Sequence, residues 1–307
     1  MSKAVVFDHY GPADVLHFIE IPLAVPQPGQ VRIRVRSAGV QPFDALFRSG
    51  AAHRWVPATF PQRLGNEWAG TIDELAPDVT GFSIGEGVFG WAMLASYAEH
   101  VVVKATDFVA KPQQMPWSEA GALSASGQTA LAAIHELDVK AGQTLLIHAA
   151  AGGVGSFASQ IARARGARVI GTASERNHDY LRSLGVSPVA YGHDLTGQIR
   201  LVAPDGVDAA LVLVDSMEAI QVSLELVGEK NRIGTVAFSS AAREHGIRQL
   251  GTVRSIERLT ELVELYQSGD LQIFLQQEIP IANAAEAHRL IEGGHTRGKI
   301  VLTVNHD

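Results

Sequence analysis

The sequence contains no cysteine. Disulfides, thiolate-held zinc, iron–sulfur clusters and a thiol nucleophile are therefore excluded. An excess of positive charge is also missing: 25 Lys and Arg against 32 Asp and Glu give a formal net charge of -7. Without a basic stripe to release counterions, neither nucleic acid nor an anionic membrane is an expected partner. No apolar run approaches the roughly 20 residues that cross a bilayer. The start, "MSKAVVFDHYGPADV", has no apolar signal-peptide middle, so a cytoplasmic protein is expected. The 12 histidines show no H-E-x-x-H spacing, which leaves open only a metal site built from histidine and carboxylate.

What the chain does have is the material for two domains. It runs to 307 residues, 46% hydrophobic and 19% charged, too long for one comfortable core and ordinary for a globular protein. Residues 1 to about 115 carry short strand-like segments ("KAVVF", "QVRIRVRSAGV", "WAGTIDEL", "GVFGWAM", "YAEHVVV") broken by Gly and Pro. Alternation such as Val31-Ile33-Val35 predicts an antiparallel, barrel-like domain. From residue 117 the texture changes. A helix-rich stretch, "SEAGALSASGQTALAAIHEL", gives way to strands alternating with helices, the mark of βαβ units and a parallel sheet. "SIERLTELVELYQSG" and "AAEAHRLIEGG" have helical spacing, and "KIVLTV" ends the chain as a strand. The fold class is α/β, with a second, mainly antiparallel β domain.

The stretch that carries chemistry is "LLIHAAAGGVGSFASQIARARGARVIG", residues 145 to 171. A buried-type strand precedes Gly152, Gly153 and Gly155. After them Val154, Phe157, Ala158, Ile161 and Ala162 fall on one helical face. Glycine in such a strand-to-helix turn lets backbone approach a pyrophosphate, and the free N–H groups of the helix start meet its charge. The cofactor-binding candidates here are Ala151, Gly152, Gly153, Val154 and Gly155. Ala150 replaces the first glycine of the usual pattern, which works if the turn needs no positive φ there. NAD-binding folds place an acid about 20 residues further on, at the second strand's end. Here that strand ends "VIGTASERN". Ser174, Arg176 and Asn177 are candidates for a 2′-phosphate instead, which favours NADPH, with Glu175 dissenting.

These residues resemble the zinc-free quinone oxidoreductase (zeta-crystallin-like) branch of the medium-chain dehydrogenase/reductase superfamily. "GQTLLIHAAAGGVGSFASQIAR" follows that branch's signature, and "AGVQPFDALFRSG", "LGNEWAG", "GFSIGEGVFG", "SASGQTAL" and "HTRGKIVLTV" extend the similarity along nearly the whole chain. The resemblance implies a GroES-like substrate domain, residues 1–122 completed by 258–307, flanking a Rossmann NADPH-binding domain at 123–257, with the cofactor between them and a homodimer as the usual assembly. It puts Thr129 near the nicotinamide, with Phe238 and Ser239 bordering it. Zinc-dependent relatives hold their metal through a Cys and a Gly-His-Glu motif. Gln41 and Asn66 stand at the Cys and His positions, and neutral amides are poor zinc ligands. No zinc is expected. The implied activity is hydride transfer from NADPH to a quinone or an α,β-unsaturated carbonyl, with Gln41 and Asn66 as candidate donors to the developing oxyanion. The enzymatic alternative is an enoyl-thioester reductase. An alternative of another class is an NADPH-binding structural or regulatory protein.

Three departures qualify the resemblance. The branch's substrate-domain tyrosines are Leu46 and Ala52 here. A tyrosine expected against the 2′-phosphate is displaced by one position, to Tyr191. "GDRV" has become "GEGV". Two other patterns are decoys. "GFSIG" satisfies G-x-S-x-G, but a glycine-broken strand follows Ser83 rather than a helix. "GGHTRGKI" has Ile300 where a P-loop needs Ser or Thr. No Tyr-x-x-x-Lys exists, which argues against a short-chain dehydrogenase mechanism. Asp44 and Glu67 are expected to be buried structural acids.

Overall fold

In a computed structural model that describes residues 1–306, the chain divides into two compact units. The first holds Met1–Ala125, Ser255–Val263 and the chain from Ile273 onward; the second holds Ser126–Arg254 and Glu264–Gln272.

The first unit is mainly β. Its strands are β1 (Ser2–Phe7), β2 (His17–Ile21), β3 (Gln30–Val40), β4 (Gln62–Arg63), β5 (Glu67–Leu75), β6 (Gly87–Trp91), β7 (His100–Lys104) and β8 (Phe108–Ala110). One helix, α1 (Pro42–Ser49), interrupts them, and α2 (Trp117–Glu136) follows them. The alternation in β3 does what it predicts: Val31, Ile33 and Val35 are wholly buried. They join Phe7, Phe47, Trp68, Tyr97 and Phe108 in one apolar core. Neighbouring strands run antiparallel, β3 between β5 and the chain's last strand.

The second unit contains β9 (Thr144–His148), β10 (Arg168–Ala173), β11 (Ser187–Ala190), β12 (Ala209–Val212), β13 (Ile233–Thr235) and β14 (Arg248–Gln249). Between and after them come α3 (Gly153–Ala164), α4 (His178–Ser183), α5 (Leu195–Val202), α6 (Met217–Leu226) and α7 (Ser240–Glu244), and α8 (Ile256–Ser268) is divided, its part up to Val263 belonging to the first unit and its part from Glu264 to the second. All pairings are parallel, in the order β11-β10-β9-β12-β13-β14. Counted from the first strand, that is the 3-2-1-4-5-6 order of a Rossmann sheet, whose direction of winding reverses between β9 and β12.

The chain then returns to the first unit with β15 (Leu275–Pro280), α9 (Ala284–Glu292) and β16 (Lys299–Thr303). β15 and β16 pair in parallel because α9 carries the chain back across, so the β unit is not purely antiparallel. Ser83 lies in the turn before β6, with no helix after it.

Candidate functional site

The register of the second unit lines up its strand ends. His148 pairs with Thr172 and with Val212, and Val212 pairs with Thr235. The loops beyond that row leave from the carboxyl edge of the sheet on either side of the switch point, where open α/β sheets bind their ligands.

The glycine turn occupies the first of these loops. Gly152 is the N-cap of α3, and no side chain caps the helix. The N–H groups of Gly153, Val154 and Gly155 precede the first intrahelical bond, Ser156 to the Gly152 carbonyl at 2.9 Å. An added Cβ at Gly155 would sit 2.5 Å from the Ala149 carbonyl and 2.7 Å from the Ala150 Cα, so only glycine lets the helix start pack on its own turn. At Gly152 the nearest atom to such a Cβ is 3.5 Å away, which leaves that side of the turn clear. The left-handed residue is Ala149, with φ 57°, and not Ala150. Ala150 is therefore admissible where the usual pattern has glycine, and its methyl packs over Gly171 of β10. These residues fit the diphosphate of a dinucleotide: open backbone, unspent N–H groups and a positive helix end.

The adenosine-side candidates converge in the same unit. Ala173 pairs with Ala190, so Ser174 and Tyr191 leave adjacent strands at one level. Tyr191 lies beyond the end of β11 and is half-exposed, so strand alternation does not dictate its direction. The Asn177 amide donates to Ser174 Oγ at 3.3 Å, and Arg176 and Glu175 are exposed beside them. Thr129 is half-buried on α2, and Phe238 is half-exposed before α7. Ser239 has a structural task of its own. It caps α7, accepting from Ala242 N at 2.9 Å and donating to Asp215.

The first unit brings Gln41 and Asn66 into one buried cluster. Gln41 is the N-cap of α1, and Asn66 immediately precedes β5. Asp44, on the first turn of α1, accepts from Gln41 N at 2.9 Å, from the Asn66 amide at 2.7 Å and from the Tyr97 hydroxyl at 3.1 Å. Glu67 accepts from the Gln41 amide, from Ala125 N at 2.6 Å and from the Lys299 ammonium at 2.9 Å. Asp44 and Glu67 are wholly buried and Lys299 nearly so. Burial pushes the Asp44 carboxyl up to about 6, against the lowering pull of the Gln41 N–H, the Tyr97 hydroxyl and the Lys299 charge. The Tyr97 hydroxyl is held well above its usual range by burial and by the neighbouring Asp44 charge.

This donor set does not fit zinc. The residues at the metal-ligand positions are amides turned toward carboxylates, both carboxylates are already engaged, and an ammonium sits within the group. Lys299 and Tyr97 escaped the sequence reading. The available signal was a lysine opening an otherwise apolar strand, "KIVLT".

Comparisons with known proteins agree with this geometry. Residues 27–113 match the model of the alcohol dehydrogenase GroES-like domain, and residues 184–302 match that of a zinc-binding dehydrogenase domain. A quinone oxidoreductase of Pseudomonas aeruginosa is 30% identical over 98% of this chain and 99% of its own. The structure of the quinone oxidoreductase from Coxiella burnetii is similar over 99% of both chains, with 32% identity and a TM-score of 0.87. A mycobacterial protein complexed with NADPH matches over 98% of this chain and 99% of its own, with 25% identity and a TM-score of 0.85.

Proposed function

This chain belongs to the zeta-crystallin-like quinone oxidoreductase branch of the medium-chain dehydrogenase/reductase superfamily, and we propose that it uses NADPH to reduce quinones or α,β-unsaturated carbonyls without zinc. The observation that carries the reading is the buried cluster of the first unit, where two carboxamides stand at the metal-ligand positions and an ammonium lies in the same group. When bound, the nicotinamide supplies the hydride.

The chain's own residues bind and orient. The uncapped start of α3 takes the diphosphate, and Ser174, Arg176 and Asn177 take the 2′-phosphate. No acid ends β10, where Ala173 and Ser174 stand, and this favours NADPH over NADH; the NADPH-bound mycobacterial relative supports the same choice. In the first unit, Glu67 and Asp44 can only accept when ionised, so they turn the nitrogens of Gln41 and Asn66 toward themselves. We assign these amides to the oxygen of the acceptor, on which negative charge develops as hydride arrives. A homodimer belongs to the same reading.

The test is NADPH oxidation by the full chain with 1,2-naphthoquinone, an alkenal and a crotonyl thioester. Turnover of the quinone or the alkenal is expected, faster with NADPH than with NADH. Turnover of the thioester alone would make the protein an enoyl-thioester reductase. Tight NADPH binding with no turnover would favour a structural or regulatory role. Gln41→Ala is expected to lower kcat/KM at least tenfold, and a loss under twofold would remove Gln41 from the mechanism.

A further inference from the structure

We propose that Thr172 and His148 are positioning residues that hold the glycine turn in its amide-presenting shape, through one directional hydrogen-bond chain running from Ala149 to α6. The inference rests on the nucleotide-binding reading of that turn and adds a function for three buried polar side chains beneath it.

The chain can be followed proton by proton. Ala149 N–H donates to Thr172 Oγ1 at 3.3 Å, and the next amide, Ala150 N–H, donates to the Thr172 carbonyl at 3.0 Å. One residue of β10 thus fixes two consecutive amides of the turn. The Thr172 hydroxyl lies 3.3 Å from His148 Nδ1, and His148 Nε2 lies 3.1 Å from Ser223 Oγ. Ser223 gives its own proton to the Ala219 carbonyl at 2.7 Å, so its oxygen must accept from the ring. That assigns the imidazole proton to Nε2 and leaves Nδ1 to accept from Thr172. A backbone N–H at one end can only donate and a carbonyl at the other can only accept, so the intervening groups have one arrangement. Burial pushes the His148 ring down to about 4, and it is neutral at physiological pH as the chain requires.

Packing alone does not call for these groups. His148, Thr172 and Ser223 are almost wholly buried, where an apolar residue would fill the space without needing partners. What the chain reaches is the residue under most backbone strain in the turn. Ala149 has φ 57°, a left-handed conformation that an L side chain adopts at a cost and keeps only when its surroundings impose it. The Ala149 carbonyl also accepts from Gly152 N–H at 3.2 Å and faces the missing Cβ of Gly155. Displacing Ala149 therefore displaces the start of α3 and the N–H groups aimed at the diphosphate. A turn held in shape beforehand binds without a further ordering cost.

The experiment compares two ligands on the full chain by calorimetry. NADPH needs the diphosphate turn, whereas adenosine 2′-monophosphate carries the 2′-phosphate and no diphosphate. Thr172→Val keeps the side-chain shape and removes the hydroxyl. It is expected to weaken NADPH about tenfold while changing adenosine 2′-monophosphate less than twofold. Thr172→Ser restores the hydroxyl and should return NADPH affinity to within about threefold of the unaltered chain. Should Thr172→Val fail to fold, Ser223→Ala cuts the far end of the same chain and is expected to weaken NADPH about threefold with the same ligand selectivity. Unchanged NADPH affinity, equal weakening of both ligands, or no recovery in Thr172→Ser would overturn the proposal. Failure of the unaltered chain to bind NADPH or NADH would instead overturn the nucleotide reading on which it rests.

Discussion

Each unit buries a polar cluster at its candidate site, and the two clusters are built on opposite principles. In the β unit it is charged: Asp44 and Glu67 accept from two amides and a tyrosine, and the Lys299 ammonium pairs with Glu67. In the Rossmann unit it is neutral: a threonine, a histidine and a serine pass single protons along a line from strand to helix. Burying ions is expensive, and mutual attraction offsets the cost only while every partner is present. A neutral chain costs less to bury and imposes direction instead of charge. The difference suits the two tasks. Backbone amides already supply the positive end for a diphosphate and need only be held still. Amides proposed to meet a developing oxyanion need a field that keeps their nitrogens facing one way.

The largest effect should come from removing the cation. Lys299→Met leaves Glu67 buried beside Asp44 without its counter-charge, and a loss of about 3 to 5 kcal/mol is expected in urea titration. Adding Glu67→Gln to Lys299→Met should recover most of that stability, because a buried pair replaced by neutral groups is nearly balanced. If the single variant lost less than about 1 kcal/mol, the charged description of this cluster would be wrong.

The comparison sharpens with pH, where the two clusters pull in opposite directions. Folding lowers the His148 pKa from 6.5 to about 4, so its stabilising contribution is complete above pH 6.5 and is lost as pH falls toward 4. Folding raises the Asp44 pKa from 3.8 to about 6, so its contribution is complete below pH 3.8 and is lost as pH rises through 6. Between pH 6 and 4 the two slopes oppose each other. His288, pushed down to about 3 by burial and by the Arg48 charge, adds to the slope of His148. Asp44→Asn should therefore lose about 2 kcal/mol more than the unaltered chain between pH 6 and 4, and His148→Leu about 2 kcal/mol less. Parallel pH profiles for the two variants would contradict the opposed titrations.

Much of this architecture was legible in the sequence where a period or a turn carried it. The alternation in β3, the switch to βαβ texture after residue 117 and the glycine turn before α3 are all local patterns, and each appears as expected. What was not legible depends on contacts between distant residues. Asp44, Asn66 and Tyr97 come from α1, the residue before β5 and the segment before β7, and no spacing along the chain links them. Lys299 meets Glu67 only because β16 lies beside β3. α1 is short and starts at a proline inside a strand-rich region, so texture concealed it. α5 follows Asp194, whose backbone is left-handed and whose side chain caps the helix through Gly197 N–H. His148 stood in plain view in "LLIHAA", yet its partners lie on β10 and α6, and only the register of the sheet assembles them.

The smallest effect tests whether the charged cluster is tuned by its neutral rim. Tyr97→Phe removes one hydrogen bond to Asp44 and leaves the ring packed edge-on against His288, 5.9 Å between centroids. A hydrogen bond to a carboxylate contributes about 1.5 to 3 kcal/mol, and a contact of 3.1 Å belongs at the lower end, so a loss of about 1.5 kcal/mol is expected near pH 7. The sign of the pH response adds a second check. The hydroxyl favours the ionised carboxyl, so its removal should carry the Asp44 pKa above the value of about 6 and move the upper edge of its stability window upward. Below pH 4 the carboxyl is neutral, and the variant and the unaltered chain should differ by no more than about 1 kcal/mol, the worth of an uncharged hydrogen bond. A deficit that stayed the same from pH 7 to pH 4 would mean that Tyr97 supports the fold through packing and leaves the Asp44 charge untouched.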